Sequence, residues 1–194
     1  MSFLKMIDED NATGKLKEVY DELLGGEGDR LANLLKSQSL NPEILKNHLK
    51  LYQSIMQEKT GLSRQEREMI AVVVSAVNKC HYCLVHHGAA LQQLVDEDNK
   101  LLFKDLAKAY QKTDQPEKEQ QKQLAGLTLR EKAILDHAKK LTVGPANILE
   151  SDIEKLNEIG LKDKEIHDIT QVVSYCNYEN RIAQGLGVDL EERK

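Results

Sequence analysis

The chain has 194 residues, of which 30% are charged and only 4% aromatic, with no tryptophan and three prolines. That balance is rich in helix formers and excludes a β-rich fold. Its formal net charge of -5, with Lys and Arg scattered among acids, argues against nucleic acid as the partner. No stretch approaches the roughly 18 apolar residues of a membrane span, and the Met1–Lys5 start lacks the regions of a secretory signal. A cytoplasmic, all-α chain with no membrane role is expected.

Helices are predicted over roughly 13–24, 29–37, 42–58, 64–77, 80–95, 98–111, 129–140, 151–158 and 163–184. Asn41-Pro42 offers an N-cap followed by proline at the first helical position, where a missing N–H does no harm. Ser63-x-x-Glu66, Thr128-x-x-Glu131 and Ser151-x-x-Glu154 are capping-box patterns, in which hydroxyl and carboxylate satisfy two orphan amides reciprocally. Stops are read at Gly25-Gly26, Gly61, Val143-Gly144-Pro145 and Gly160. Residues 112–125 are polar without apolar periodicity and read as an exposed connector.

The run Met69–Val77 is almost continuously apolar and contains four valines. Alone it could be a buried strand. The capping box at Ser63 favours a buried helix, placed at the centre of the protein or at a subunit interface. A weak internal repeat relates Gly61-Leu62, Glu66, Ile70, Val73 and Asn78 to Gly160-Leu161, Glu165, Ile169, Val172 and Asn177. A single domain over 1–194 is expected, with a thiol-bearing unit at 61–95. A degenerate copy at 160–188 lacks the paired cysteines and has Asn180, Arg181 and Ile182 where the first copy has His81, Tyr82 and Cys83.

In a reducing compartment, closely spaced cysteines read as catalytic or metal-binding rather than as staples. Cys80, Cys83 and His87 stand at i, i+3 and i+7, one stripe of a helix. Asn78 is the expected N-cap of that helix, so both thiols fall in its first turns, where the dipole favours thiolate. Two sulfurs this close can form a disulfide, and an imidazole one turn on can exchange protons with a thiol. Glu68 interrupts the approach to the apolar run. If the chain turns near Val77-Asn78, Glu68 and His87 lie equidistant from the turn and face each other. The carboxylate then fixes the tautomer and basicity of the imidazole. In an unbroken helix Glu68 would sit about 18 Å from Cys80.

Glu68, Cys80-His81-Tyr82-Cys83 and His87 together resemble the core signature of the alkylhydroperoxidase D-like group of the carboxymuconolactone decarboxylase superfamily. Leu129–Ala133, Lys140-Leu141-Thr142, Gly160-Leu161 and Asn177–Ala183 resemble its peroxidase-related branch. The resemblance implies an all-helical multi-helix bundle, usually a homo-oligomer. It implies a thiol peroxidase that reduces hydrogen peroxide or organic hydroperoxides without an organic cofactor or metal and is recharged by a thiol reductant protein. By the same resemblance Cys83 attacks the peroxide, Cys80 donates a proton and closes the disulfide, and Glu68 and His87 form the proton relay. The sequence departs from the signature at Tyr82, where better-known members have a second histidine, and His81 is its neighbour.

Other readings stand beside this one. Cys80, Cys83 and His87 could supply three zinc ligands, with Cys176 or His86 as a fourth, in a non-enzymatic zinc-binding or redox-sensing protein. A lactone decarboxylase has no evident need of paired cysteines. His86 could exchange roles with His87. Cys176 reads as core, and Tyr175, Asn177, Asn180 and Arg181 read as polar residues that pin the second repeat, with Arg181 a weaker candidate for binding an anion.

Overall fold

The computed structural model describes residues 2–24, 30–96, 99, 101–111 and 123–192. Every regular element among them is helical. In chain order these are α1 (Gly14–Leu23), α2 (Asn33–Lys36), α3 (Pro42–Tyr52), α4 (Arg64–Val77), α5 (His81–Leu94), α6 (Leu102–Gln111), α7 (Leu129–Val143), α8 (Glu150–Glu158) and α9 (Asp163–Gly185). The expected stop at Gly25-Gly26, the first residues of the helix predicted from 98, and most of the predicted connector lie outside the described residues.

The contacts divide the chain into two compact units, one of residues 1–54 and 181–194 and one of residues 55–180. In the first, α1 packs on α3, and Leu16, Val19, Tyr20, Leu31 and Leu45 form its apolar cluster. The Tyr20 hydroxyl, which would be costly to bury alone, donates to the Ile7 carbonyl at 2.9 Å. α3 begins as expected, with the Asn41 side chain accepting from Ile44 N–H at 3.2 Å. It ends earlier than predicted, because Gln53–Gln57 continues as a π turn.

The second unit is built on α4, which packs against α5, α6 and α7. Its capping box closes at both ends: Glu66 N–H donates to Ser63 Oγ at 3.1 Å, and Ser63 N–H to Glu66 Oε2 at 2.7 Å. Thr128 and Glu131 do the same for α7. The third expected box is displaced. α8 starts at Glu150, and it is Asp152 Oδ2 that accepts from Leu149 N–H at 2.8 Å while pairing with Lys140. With the helix started at Glu150, Ser151 lies inside its first turn and is not its N-cap.

Residues Met69–Ala76 are buried all round. The apolar run is therefore a core helix, and its composition is explained inside one chain without a subunit interface. Arg67 is buried in the same helix and donates to the carbonyls of Ile55 at 2.6 Å and Glu58 at 3.4 Å, which ties down the segment leading into α4.

The chain breaks after α4 by a Schellman closure. Asn78 is the C-cap, Lys79 takes the left-handed conformation with φ 55°, and Cys80 follows. Cys80 N–H donates to Ser75 O at 2.9 Å and Lys79 N–H to Ala76 O at 3.1 Å. Asn78, expected to start α5, instead ends α4, and Cys80 is the N-cap of α5. The side chain of Asn78 goes elsewhere: its Nδ2 donates to Asn177 Oδ1 at 2.8 Å and Asn180 Oδ1 at 2.9 Å. Asn180 Nδ2 donates in turn to Ser75 Oγ at 3.2 Å. These amides, of which Asn180 is fully buried, tie α9 to the C-terminal end of α4, just before the break. α9 itself runs unbroken through the positions that the repeat aligns with the break.

Candidate active site

The αα-hairpin of α4 and α5 carries the site. The break puts Cys80 at the N-cap and Cys83 one turn into α5, with Cys80 Sγ and Cys83 Sγ 2.7 Å apart, both buried and both free thiols. Further along α5, His87 faces back toward α4. Its Nδ1 lies 2.8 Å from Glu68 Oε2, the partner that symmetry about the turn predicts. Glu68 is 1% exposed and its other oxygen is 2.5 Å from Arg64 Nη2, one helical turn earlier. The buried carboxylate is thus held between a guanidinium and an imidazole, as a buried charge requires. On α5 the Phe103 ring of α6 packs against Gly88, where a Cβ would stand 2.7 Å from it.

The opposite nitrogen of His87 meets a residue that sequence reading did not single out. Glu179, on α9, brings Oε2 to 3.6 Å from His87 Nε2, and its Oε1 accepts from the Tyr175 hydroxyl at 2.7 Å. A partial signal for it was present. Tyr175 and Glu179 are spaced i, i+4, and the repeat aligns Glu179 with Cys80. Cys176, expected as core, is fully buried, and ligand atoms of His87, Cys176 and Glu179 all lie within 4.8 Å of one another. Those are the donors that converge among the described residues, rather than the Cys80, Cys83 and His87 set with Cys176 or His86. His86 stacks on Tyr82 with ring centroids 4.3 Å apart, and His81 is exposed.

The electrostatics separate the two thiols. The hydrogen bond from Cys83 lowers the Cys80 pKa to about 7, against the effect of burial, with help from the Cys83 backbone amide and the His87 charge. Cys83 is pushed far up, because a second charge would sit against the first sulfur in a buried place. The pair therefore shares one proton near neutrality, as coupled groups do. Burial acts to lower the His87 pKa, but Glu179 and Glu68 together outweigh it and raise it to about 10. The imidazole is thus a fixed cation at neutral pH, able to give a proton rather than to take one. Cys176 stays a neutral thiol, raised by burial and then by the charges of Glu179 and Glu68.

A buried dithiol at a helix break, with a carboxylate–imidazole pair on the same hairpin, marks the chain as a thiol-bearing all-helical protein, and the comparisons bear on its fold and family. The family model for the carboxymuconolactone decarboxylase family matches residues 42–99. An uncharacterized peroxidase-related protein from Silicibacter sp. TM1040 is 33% identical, with 98% of this chain and 95% of that one covered and a TM-score of 0.76. An alkylhydroperoxidase AhpD core protein from Ralstonia eutropha JMP134, also peroxidase-related and uncharacterized, is 26% identical over 97% and 95% with a TM-score of 0.74. The debrominase Bmp8 shares the fold at 15% identity, with 98% and 94% covered and a TM-score of 0.69 in a complex with 2,3,4-tribromopyrrole. No curated protein sequence matches the chain. The chain belongs to the carboxymuconolactone decarboxylase superfamily, in its alkylhydroperoxidase D-like group. The debrominase shows that the fold alone does not set the reaction.

Proposed function

We propose that this protein is a thiol-dependent peroxidase that reduces hydrogen peroxide or an organic hydroperoxide in the cytoplasm at Cys80 and Cys83. The observation that carries the reading is the pair of buried sulfurs 2.7 Å apart, with Glu68 and His87 hydrogen-bonded behind them.

At rest the negative charge sits on Cys80 and the proton on Cys83. As peroxide enters, Cys83 passes its proton to Cys80, and the Cys83 sulfur attacks the terminal peroxide oxygen. The S–O bond forms as the O–O bond breaks, and the departing alkoxide takes the proton back from Cys80. This leaves an alcohol, a Cys83 sulfenic acid and a Cys80 thiolate. The thiolate then attacks the Cys83 sulfur, the disulfide forms, and hydroxide leaves as water with a proton from His87. Two electrons pass from the two sulfurs to the peroxide. Glu68 and Glu179 hold His87 charged for that last step, the role expected of a positioned acid. A dithiol reductant returns both thiols by exchange, and His87 regains its proton from solvent.

The test is peroxide consumption by the reduced protein with a small dithiol as electron source. Cys83→Ser abolishes turnover and Cys80→Ser stalls the enzyme as a trappable sulfenic acid. If both variants consume peroxide like the unaltered protein, the thiol mechanism is wrong.

A further inference from the structure

Cys176 has no part in the reaction above, where His87 gives its proton from Nε2 because Nδ1 is held by Glu68, yet the arrangement of Cys176 about that nitrogen is specific. We propose that His87 Nε2, Cys176 Sγ and a Glu179 carboxylate oxygen form a binding site for a divalent ion of the zinc class. One ligand atom from each residue lies within 4.8 Å of the other two, and Nε2 is the His87 nitrogen paired with Glu179, since Nδ1 is held by Glu68. The three residues come from two helices of the same unit, with Cys176 and Glu179 at i, i+3 on α9 so that both face α5.

Three features point to an ion rather than to a chance meeting. First, His87 Nε2 and Glu179 Oε2 are 3.6 Å apart, too far for a good hydrogen bond. A tetrahedral ion with bonds of about 2.0–2.2 Å holds such a nitrogen and oxygen roughly 3.4 Å apart. Second, each of these two ligands is already oriented from behind. Glu68 holds His87 Nδ1 at 2.8 Å and Tyr175 holds Glu179 Oε1 at 2.7 Å, which is how ligating imidazoles and carboxylates are set in zinc sites. Third, the donor set of one nitrogen, one sulfur and one oxygen suits zinc and leaves a fourth position open to water.

Binding exchanges protons for the ion: the Cys176 thiol and the Nε2 position of His87 each release one, and the metal charge replaces them between two carboxylates. One consequence rests on the peroxidase reading. The ion occupies the nitrogen whose proton lets water depart, so it switches peroxide reduction off. The binding itself does not depend on that reading.

Cobalt(II) is the probe, because a cobalt–thiolate bond absorbs in the near ultraviolet and tetrahedral cobalt in the visible. The titration uses the full-length Cys80→Ser/Cys83→Ser protein, which removes the redox pair as a competing ligand and as a catalyst. One equivalent of cobalt with both bands is expected, displaced by zinc. Adding Cys176→Ala removes the near-ultraviolet band, and Glu68→Gln, which meets His87 at Nδ1 and none of the three donor atoms, weakens binding roughly 10- to 100-fold. Circular dichroism checks that each variant is folded. No cobalt spectrum in the doubly substituted protein, or an unchanged near-ultraviolet band in the folded Cys176→Ala variant, overturns the site. Because no peroxide is present, failure of the peroxidase reading leaves this result untouched, and the reverse also holds.

Discussion

Replacing Cys83 by alanine tests how the site makes its thiolate. The Cys83 thiol is the largest cause of the low Cys80 pKa, which it brings from 9.0 to about 7. Without it, burial opposes the remaining charge effects, and Cys80 returns toward its ordinary value. At pH 7 about half of Cys80 is thiolate with a pKa of about 7, but about 1% with a pKa of about 9, a roughly fiftyfold loss. A thiolate two units more basic is about eightfold more nucleophilic for a Brønsted slope of about 0.45. The net loss of reactivity at pH 7 is therefore about sixfold, with the midpoint of the pH profile moved upward by about two units. Iodoacetamide labelling of the reduced protein, read at the Cys80 peptide by mass spectrometry from pH 5 to 10, measures both quantities. A Cys80 midpoint near 9 in the unaltered protein refutes the reasoning, as does a midpoint that stays near 7 in Cys83→Ala.

Three further substitutions test the frame that holds the site, each read by urea unfolding of the reduced protein. Lys79→Gly relieves a side chain from the left-handed conformation at φ 55° and should raise stability by about 0.5–1 kcal/mol, the steric gain exceeding the entropic cost of glycine. Asn180→Ala removes one of the two acceptors of Asn78 Nδ2 and the donor to Ser75 Oγ, and should cost about 1–3 kcal/mol. No change on either substitution would mean that the hairpin break is not held as described. Gly88→Ala drives a methyl group to 2.7 Å from the Phe103 ring; overpacking of about 1–3 kcal/mol outweighs the helix propensity gained. A variant as stable as the parent would show that α5 and α6 are not in that contact.

Local signals were the most legible. The capping boxes at Ser63 and Thr128 and the Asn41-Pro42 start act over one helical turn, and the structure keeps them. The pairing of Glu68 with His87 followed from one assumption, a break near Asn78, because residues equidistant from a hairpin turn must meet. What the break itself would look like was not legible. Its left-handed residue is Lys79 rather than the glycine that usually marks a Schellman closure, so Asn78 read as the start of α5 when it ends α4. At α8 the Ser-x-x-Glu pattern put the start two residues late: the helix begins at Glu150, and Asp152, paired with Lys140, accepts from Leu149 N–H. Glu179 escaped notice because its partner His87 is on another helix. No local pattern announces a carboxylate whose role is set by packing, and only its Tyr175 spacing hinted at it. The charged state of His87 was hidden for the same reason, since a basic imidazole becomes a fixed cation only when the second carboxylate is counted.

The central claim is that Cys80 and Cys83 act as one two-electron centre. One equivalent of hydroperoxide added to the reduced protein under anaerobic conditions, followed by thiol counting and peptide mapping, tests it most directly. The account predicts the loss of two thiols per peroxide, a Cys80–Cys83 disulfide and an unmodified Cys176. Peroxide consumed with all three thiols intact, or a disulfide involving Cys176, would contradict it.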